Sequence, residues 1–164
     1  MAGPIYRFLA EDHKRLDDLF NRALADPEKF DDEAYAEFRA GLLRHISIEE
    51  KILLPAVQRF RGGTPLPIAA KIHLDHGALV ALMVPPPTKT VVSTIQTILT
   101  AHNKLEEKVE GLYELSEEAI GKNNDKLLSM MHAAAQIPVL PHNPDSKVLE
   151  ATRRAVERAG YRME

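Results

Sequence analysis

The chain has 164 residues, a net charge of −3 with histidine neutral, and no cysteine. That length suits one domain with a real core, and so mild a charge offers no electrostatic case for binding nucleic acid or an anionic membrane. Without cysteine there is no disulfide, no thiolate metal site and no cysteine nucleophile, so any metal must be held by nitrogen and oxygen donors. Leu, Ala, Glu and Lys are common and aromatic residues make up only 5% of the chain, which points to an all-α protein. The N-terminus becomes charged within a few residues and does not read as a signal peptide. No stretch is apolar for long enough to span a bilayer. The expected setting is cytoplasmic.

A first helix is predicted from Pro4, a good first-turn residue, to about Ala25, where Asp26-Pro27 ends it. The second starts at Asp31 or Asp32, either of which can cap it. It runs to about Arg61, before Gly62-Gly63, with Pro55 expected to kink it. A third follows Thr64, with Pro65 and Pro67 near its start, and ends before Pro85-Pro86-Pro87. The fourth begins around Thr88 or Thr90 and is expected to continue to Gly121 as its cap. Four such helices with shortish connections predict an antiparallel up-down-up-down four-helix bundle over residues 1–121. Residues 122–164 read as a helical extension: a short helix over 127–136, a proline-containing connector over 137–144, and a last helix capped by Asn143 and closed by Gly160. This extension is expected to pack on the bundle or on the second subunit of a homodimer.

Two segments repeat one pattern: His45-Ile-Ser-Ile-Glu49-Glu50 and His102-Asn-Lys-Leu-Glu106-Glu107. Bundle cores are lined by positions three and four residues apart. On the second helix such a line is Phe38, Leu42, His45, Glu49, Ile52 and Ala56. On the fourth it is Ile95, Leu99, His102, Glu106, Val109 and Tyr113. The first helix gives Ile5, Leu9, His13, Leu16 and Phe20, and the third Ala69, His73, His76, Val80 and Met83.

The inward set is therefore His13, His45, Glu49, His73, His76, His102 and Glu106, near mid-helix on all four helices. A carboxylate on an apolar seam is costly unless it has a partner. Imidazole with carboxylate suits iron, manganese or zinc. Seven donors exceed the needs of one ion and suit two ions bridged by carboxylates. The four-residue spacing puts His and Glu on one helix face, so His can bind one ion while Glu bridges to the other. If the seams were rotated to solvate these groups, Phe38, Leu42, Ile52, Ile95, Leu99 and Val109 would be exposed instead. Glu50 and Glu107 are expected to be outer residues, His132 and His142 to have surface or packing roles, and Tyr113 to be a core aromatic.

Asp12-His13 with Leu16, His45-x-x-x-Glu49-Glu50-x-x-Leu53-Leu54-Pro55, Asp75-His76 with Leu79, and His102-x-x-x-Glu106-Glu107 occur in order on four helices. Over roughly residues 5–120 this set resembles the hemerythrin-like, or HHE cation-binding, family. The resemblance implies a non-haem centre of two iron ions (Fe2+/Fe3+), for which manganese or zinc can substitute. Glu49 and Glu106 would be the bridges, with His13, His45, His73, His76 and His102 as terminal ligands. Family members bind O2 or another small diatomic ligand, sense oxygen or iron, store iron, or act in iron–sulfur repair after nitrosative stress. Hemerythrin oxygen carriers space the third-helix histidines four apart and end with Asp five residues after His. Here the step from His73 to His76 is three, and Glu106 and Glu107 stand at the +4 and +5 positions. An oxygen-responsive binding protein is the leading expectation. A turnover di-iron enzyme and a metal-dependent regulatory module are its rivals, and a metal-free interaction bundle is the remaining alternative.

Overall fold

A computed structural model describes residues 2–164. The described residues are all-helical, with no strand. Helix α1 spans Pro4–Leu24 and α2 spans Asp32–Ile48, capped by the Asp31 carboxylate accepting from the Ala34 N–H. The second helix continues through a π-helical segment, Glu49–Leu53, into α3, Leu54–Phe60. The π segment explains how Pro55 is tolerated. In an α-helix its ring would press on the carbonyl four residues back; here the wider turn closes with the Leu54 N–H donating to the Glu49 carbonyl. Pi segments are frequent at functional sites, and this one begins at the first glutamate of the His-x-x-x-Glu-Glu pattern.

The third helix, α4, is Ala69–Leu82 and starts later than Pro65 would suggest. The predicted long fourth helix is two helices. Helix α5, Lys89–Glu107, is capped by the Thr88 hydroxyl, and α6, Leu112–Ile120, ends at Gly121 with φ 61°. Between them Lys108 is extended and Glu110 adopts a left-handed φ of 60°. The break exposes Val109, which the uninterrupted seam placed inward, to 78%. Val80, also assigned inward, is 40% exposed. Helices α7, Asp125–His132, and α8, Ser146–Arg158, form the extension. The last helix starts at the Asp145 cap rather than at Asn143.

The core is divided. One apolar cluster gathers Leu16 and Phe20 of α1, Phe38 and Leu42 of α2, Leu79 of α4 with Met83 at its C-cap, Ile95 and Leu99 of α5, and Val156 of α8. The other gathers Ile5 and Leu9 of α1, Ile48, Leu53, Ile72, Leu112 and Tyr113, with Leu127 and Met131 of α7. Buried polar residues from α1, α2, the π segment, α4 and α5 lie at the level between them. The extension packs on this same chain. Thr152 of α8 donates its hydroxyl to the Ala81 carbonyl, and Arg44 donates to the carbonyls of Met131, His132 and Ala134 at the end of α7. No helix among the described residues is long and apolar enough to cross a membrane.

The break between α5 and α6 depends on Gly111, whose missing Cβ would lie 2.6–2.8 Å from the carbonyl oxygens of Leu105, Glu106 and Lys108. These are backbone atoms and cannot swing away. Gly111→Ala is expected to destabilise the protein by about 1–3 kcal/mol, the usual range for overpacking, measured as a lowered urea midpoint.

Candidate metal centre

Four histidines and two glutamates meet at the level between the apolar clusters. His13 comes from α1, His45 from α2, Glu49 from the π segment, His76 from α4, and His102 and Glu106 from α5. All six residues are buried, with both glutamates at 0% exposure. They form two overlapping groups: His13 and His45 with Glu49 and Glu106, and His76 and His102 with the same two glutamates. Within each group one donor atom per residue lies within 4.8 Å of the others.

His73, the seventh residue of the predicted set, stands apart. Its side chain is 75% exposed and its Nδ1 lies 3.1 Å from Glu50 Oε1. A three-residue step turns an α-helix through about 300°, so His73 falls about 60° off the face of His76. The buried stripe of α4 passes instead through Ile72, Asp75, His76 and Leu79.

Each of the four buried histidines is held by a carboxylate from a neighbouring helix. Asp12 of α1 accepts from His45 Nδ1 at 2.8 Å, and Glu50 of the π segment from His76 Nδ1 at 2.7 Å. Asp75 of α4 accepts from His102 Nδ1 at 3.1 Å, and Glu107 of α5 from His13 Nδ1 at 2.8 Å. The four links form a closed circuit, α1 to α2, the π segment to α4, α4 to α5, and α5 back to α1. Each fixes a ring orientation with Nδ1 outward and Nε2 facing the centre. Removing such an outer carboxylate typically weakens metal binding by about 10–100-fold. Glu50 and Glu107, expected as outer residues, therefore orient the buried histidines, as do Asp12 and Asp75. The sequence signal for all four was adjacency: each directly precedes or follows an inward His or Glu.

The inward atoms are poorly satisfied by one another. Glu49 Oε1 and Oε2, His76 Nε2 and Glu106 Oε2 are buried without a hydrogen-bond partner. Glu49 Oε1 lies 2.7 Å from His45 Nε2, but off the direction of a hydrogen bond. Buried orphan acceptors are rare in folded proteins, and four at one point fit a bound cation. The donor set of imidazole and carboxylate suits iron, manganese or zinc. Tyr113 completes the cluster, its hydroxyl 3.1 Å from Glu106 Oε1 and 2.9 Å from His13 Nε2. It is more than the core aromatic the seam suggested, because the α5–α6 break folds it back. In one continuous helix it would lie about 10.5 Å beyond Glu106 along the axis.

The electrostatics of the cluster follow from burial and from the charges its members place on one another. Burial, and then the Glu106 charge, drive the Glu49 carboxyl well above its usual range. Burial opposes ionisation of Glu106 too, but the His102 charge holds it well below that range. His102 is pushed up to about 10: burial works against its charge, and Glu106 and Asp75 overcome it. His13 is raised likewise by Glu106 and Glu107 against burial, while burial lowers His76.

A group with a raised folded pKa holds its proton more tightly when folded, so its contribution is lost as pH climbs through that pKa. Glu49 stays neutral in the fold and loses favour as pH rises above its ordinary 4.5. The stabilisation from His13 and His102 is complete below their ordinary 6.5 and fades upward, for His102 through about 10. His76 acts in the opposite sense, but only below 6.5. The metal-free protein is therefore expected to lose stability between pH 6.5 and 10, measured by urea unfolding in chelator, and to lose less when metal-loaded. A flat or rising profile for the metal-free protein over that window would contradict this account.

The hemerythrin HHE cation binding domain matches residues 5–110, which contain every histidine and glutamate of the cluster. No curated protein and no solved structure shows significant similarity to the chain. The matched span covers well over half of the 164 residues. It begins in α1 and ends within the α5–α6 break, so that α6, α7 and α8 lie beyond it. By this match, and by a buried histidine–glutamate cluster able to hold metal, the chain belongs to the hemerythrin HHE cation-binding domain family.

Proposed function

We propose that the protein holds two non-haem iron ions in an antiparallel up-down-up-down four-helix bundle and binds or senses O2 or another small diatomic ligand. The observation that carries this reading is that two donor groups share Glu49 and Glu106 while three of the four oxygens of those carboxylates lack a hydrogen-bond partner. His13 and His45 would bind one ion, His76 and His102 the other, and Glu49 and Glu106 would bridge them. The antiparallel topology is supported by the two core clusters: α1 and α4 begin in the cluster where α2 and its continuation end.

Reduced iron would supply the electrons and open coordination that O2 binding needs. The chain's own contribution is to orient the imidazoles through Asp12, Glu50, Asp75 and Glu107. Leu16, Leu42 and Leu99 beside the site limit the entry of water. Plasma mass spectrometry on protein made in iron-supplemented medium is expected to find about two irons per chain, as in di-iron bundles. The reduced protein should change its visible spectrum on exposure to O2. Negligible iron after anaerobic reconstitution would overturn the metal assignment, and iron without an optical response would overturn the oxygen role.

One contact favours a second reading, in which metal occupancy controls the extension. Lys71 Nζ lies 2.6 Å from Asp75 Oδ1, the carboxylate that supports His102, and donates to the Ala159 carbonyl at the end of α8. It also sits over the Tyr161 ring, 4.5 Å from its centroid. On this reading, removing metal increases protease cleavage after Arg153, Arg154 and Arg158. Equal cleavage with and without metal would exclude it.

A further inference from the structure

Tyr113 is buried against metal-binding atoms that are already complete as a histidine–glutamate set. Its hydroxyl oxygen lies 2.9 Å from His13 Nε2, 3.2 Å from His45 Nε2 and 3.1 Å from Glu106 Oε1. Because Glu107 and Asp12 accept from the Nδ1 atoms of these two histidines, their Nε2 atoms present lone pairs when the rings are neutral. One phenol proton then faces three acceptors and can satisfy only one. Donors held about 2.1 Å from one ion and at right angles to each other are about 3.0 Å apart. That matches the spacing around the Tyr113 oxygen.

We propose that Tyr113 is a metal ligand: its phenolate oxygen binds the ion held by His13 and His45, beside the carboxylates of Glu49 and Glu106. The inference rests on the di-iron reading and adds a donor to it. On coordination the phenol proton is released to solvent and the metal–oxygen bond replaces the O–H bond. The other tyrosines are placed elsewhere. Tyr6 donates to the Glu107 backbone carbonyl, Tyr35 lies in the apolar cluster with Phe38, and Tyr161 packs under Lys71.

The assignment makes the two halves of the site unequal. Tyr113 follows Glu106 by seven residues, and the residue seven after Glu49 is Ala56, buried in α3 and without a donor. The His76–His102 ion therefore has one protein donor fewer, and an added small ligand enters on that side.

The test uses the full chain loaded with ferric iron. A phenolate bound to iron(III) absorbs in the visible by charge transfer and shows resonance-enhanced ring vibrations. Wild type is expected to show both, and Tyr113→Phe to lose both while still binding iron through the remaining ligands. Wild type that binds about two irons per chain but lacks these signals, or a variant that keeps them, overturns the Tyr113 assignment and leaves the di-iron reading standing. A chain that takes up no iron overturns both. If Tyr113→Phe does not fold, wild-type protein carrying ring-deuterated tyrosine decides the matter. Vibrations that shift with the isotope support the ligand, and their absence overturns it.

Discussion

Glu49 and Glu106 are fully buried at the centre of a helical core, and neither is neutralised by a lysine or arginine. Removing a carboxylate from water without a paired charge carries a penalty of several kcal/mol. The surrounding structure can be understood as the arrangement that makes this tolerable. Four imidazoles face the pair, four further carboxylates hold those imidazoles, and two apolar clusters close the level from both ends. Six carboxylates meet four imidazoles at this level, a nitrogen and oxygen donor set of the kind that suits a bound cation. A bound cation would relieve the cost of burying them.

The carboxylate circuit also explains why the repeated pattern has two acidic residues rather than one. In each repeat the first glutamate faces inward and the second reaches to a histidine of another helix. The Asp-His pairs of α1 and α4 divide their labour in the same way, His inward and Asp outward to the neighbouring helix. Orientation of any one ligand therefore depends on two helices, which couples the integrity of the site to the packing of the bundle. The symmetry of this pattern ends just beyond the glutamates. After Glu50 the chain continues as a π segment into α3, whereas after Glu107 it breaks and resumes as α6.

The extension is bound to the same level of the molecule, although it lies outside the family match. Lys71 bridges Asp75 and the end of α8, and Val156 and Ala159 fill the cluster that also holds Leu79. Arg39, buried, donates to the carbonyls of Met83 and Leu140 and anchors the connector between α7 and α8. These contacts make residues beyond α1–α5 part of the environment of His102.

The sequence by itself determined the helical class and the end of α1, narrowed two caps to Asp31 or Asp32 and to Thr88 or Thr90, and named seven inward donors, six of which meet, because a three-and-four spacing fixes which side chains share a face. Asp12, Glu50, Asp75 and Glu107 each adjoin an inward donor in the sequence, but periodicity within one helix cannot say which neighbour an outward carboxylate will meet. Only the tertiary structure decided that pairing, and it separated His73 from His76 by choosing the rotation of α4 about its axis. It alone decided the fate of Tyr113 as well. The break before Gly111 depends on backbone contacts with Leu105, Glu106 and Lys108, and no periodic pattern records a close approach of backbone to backbone.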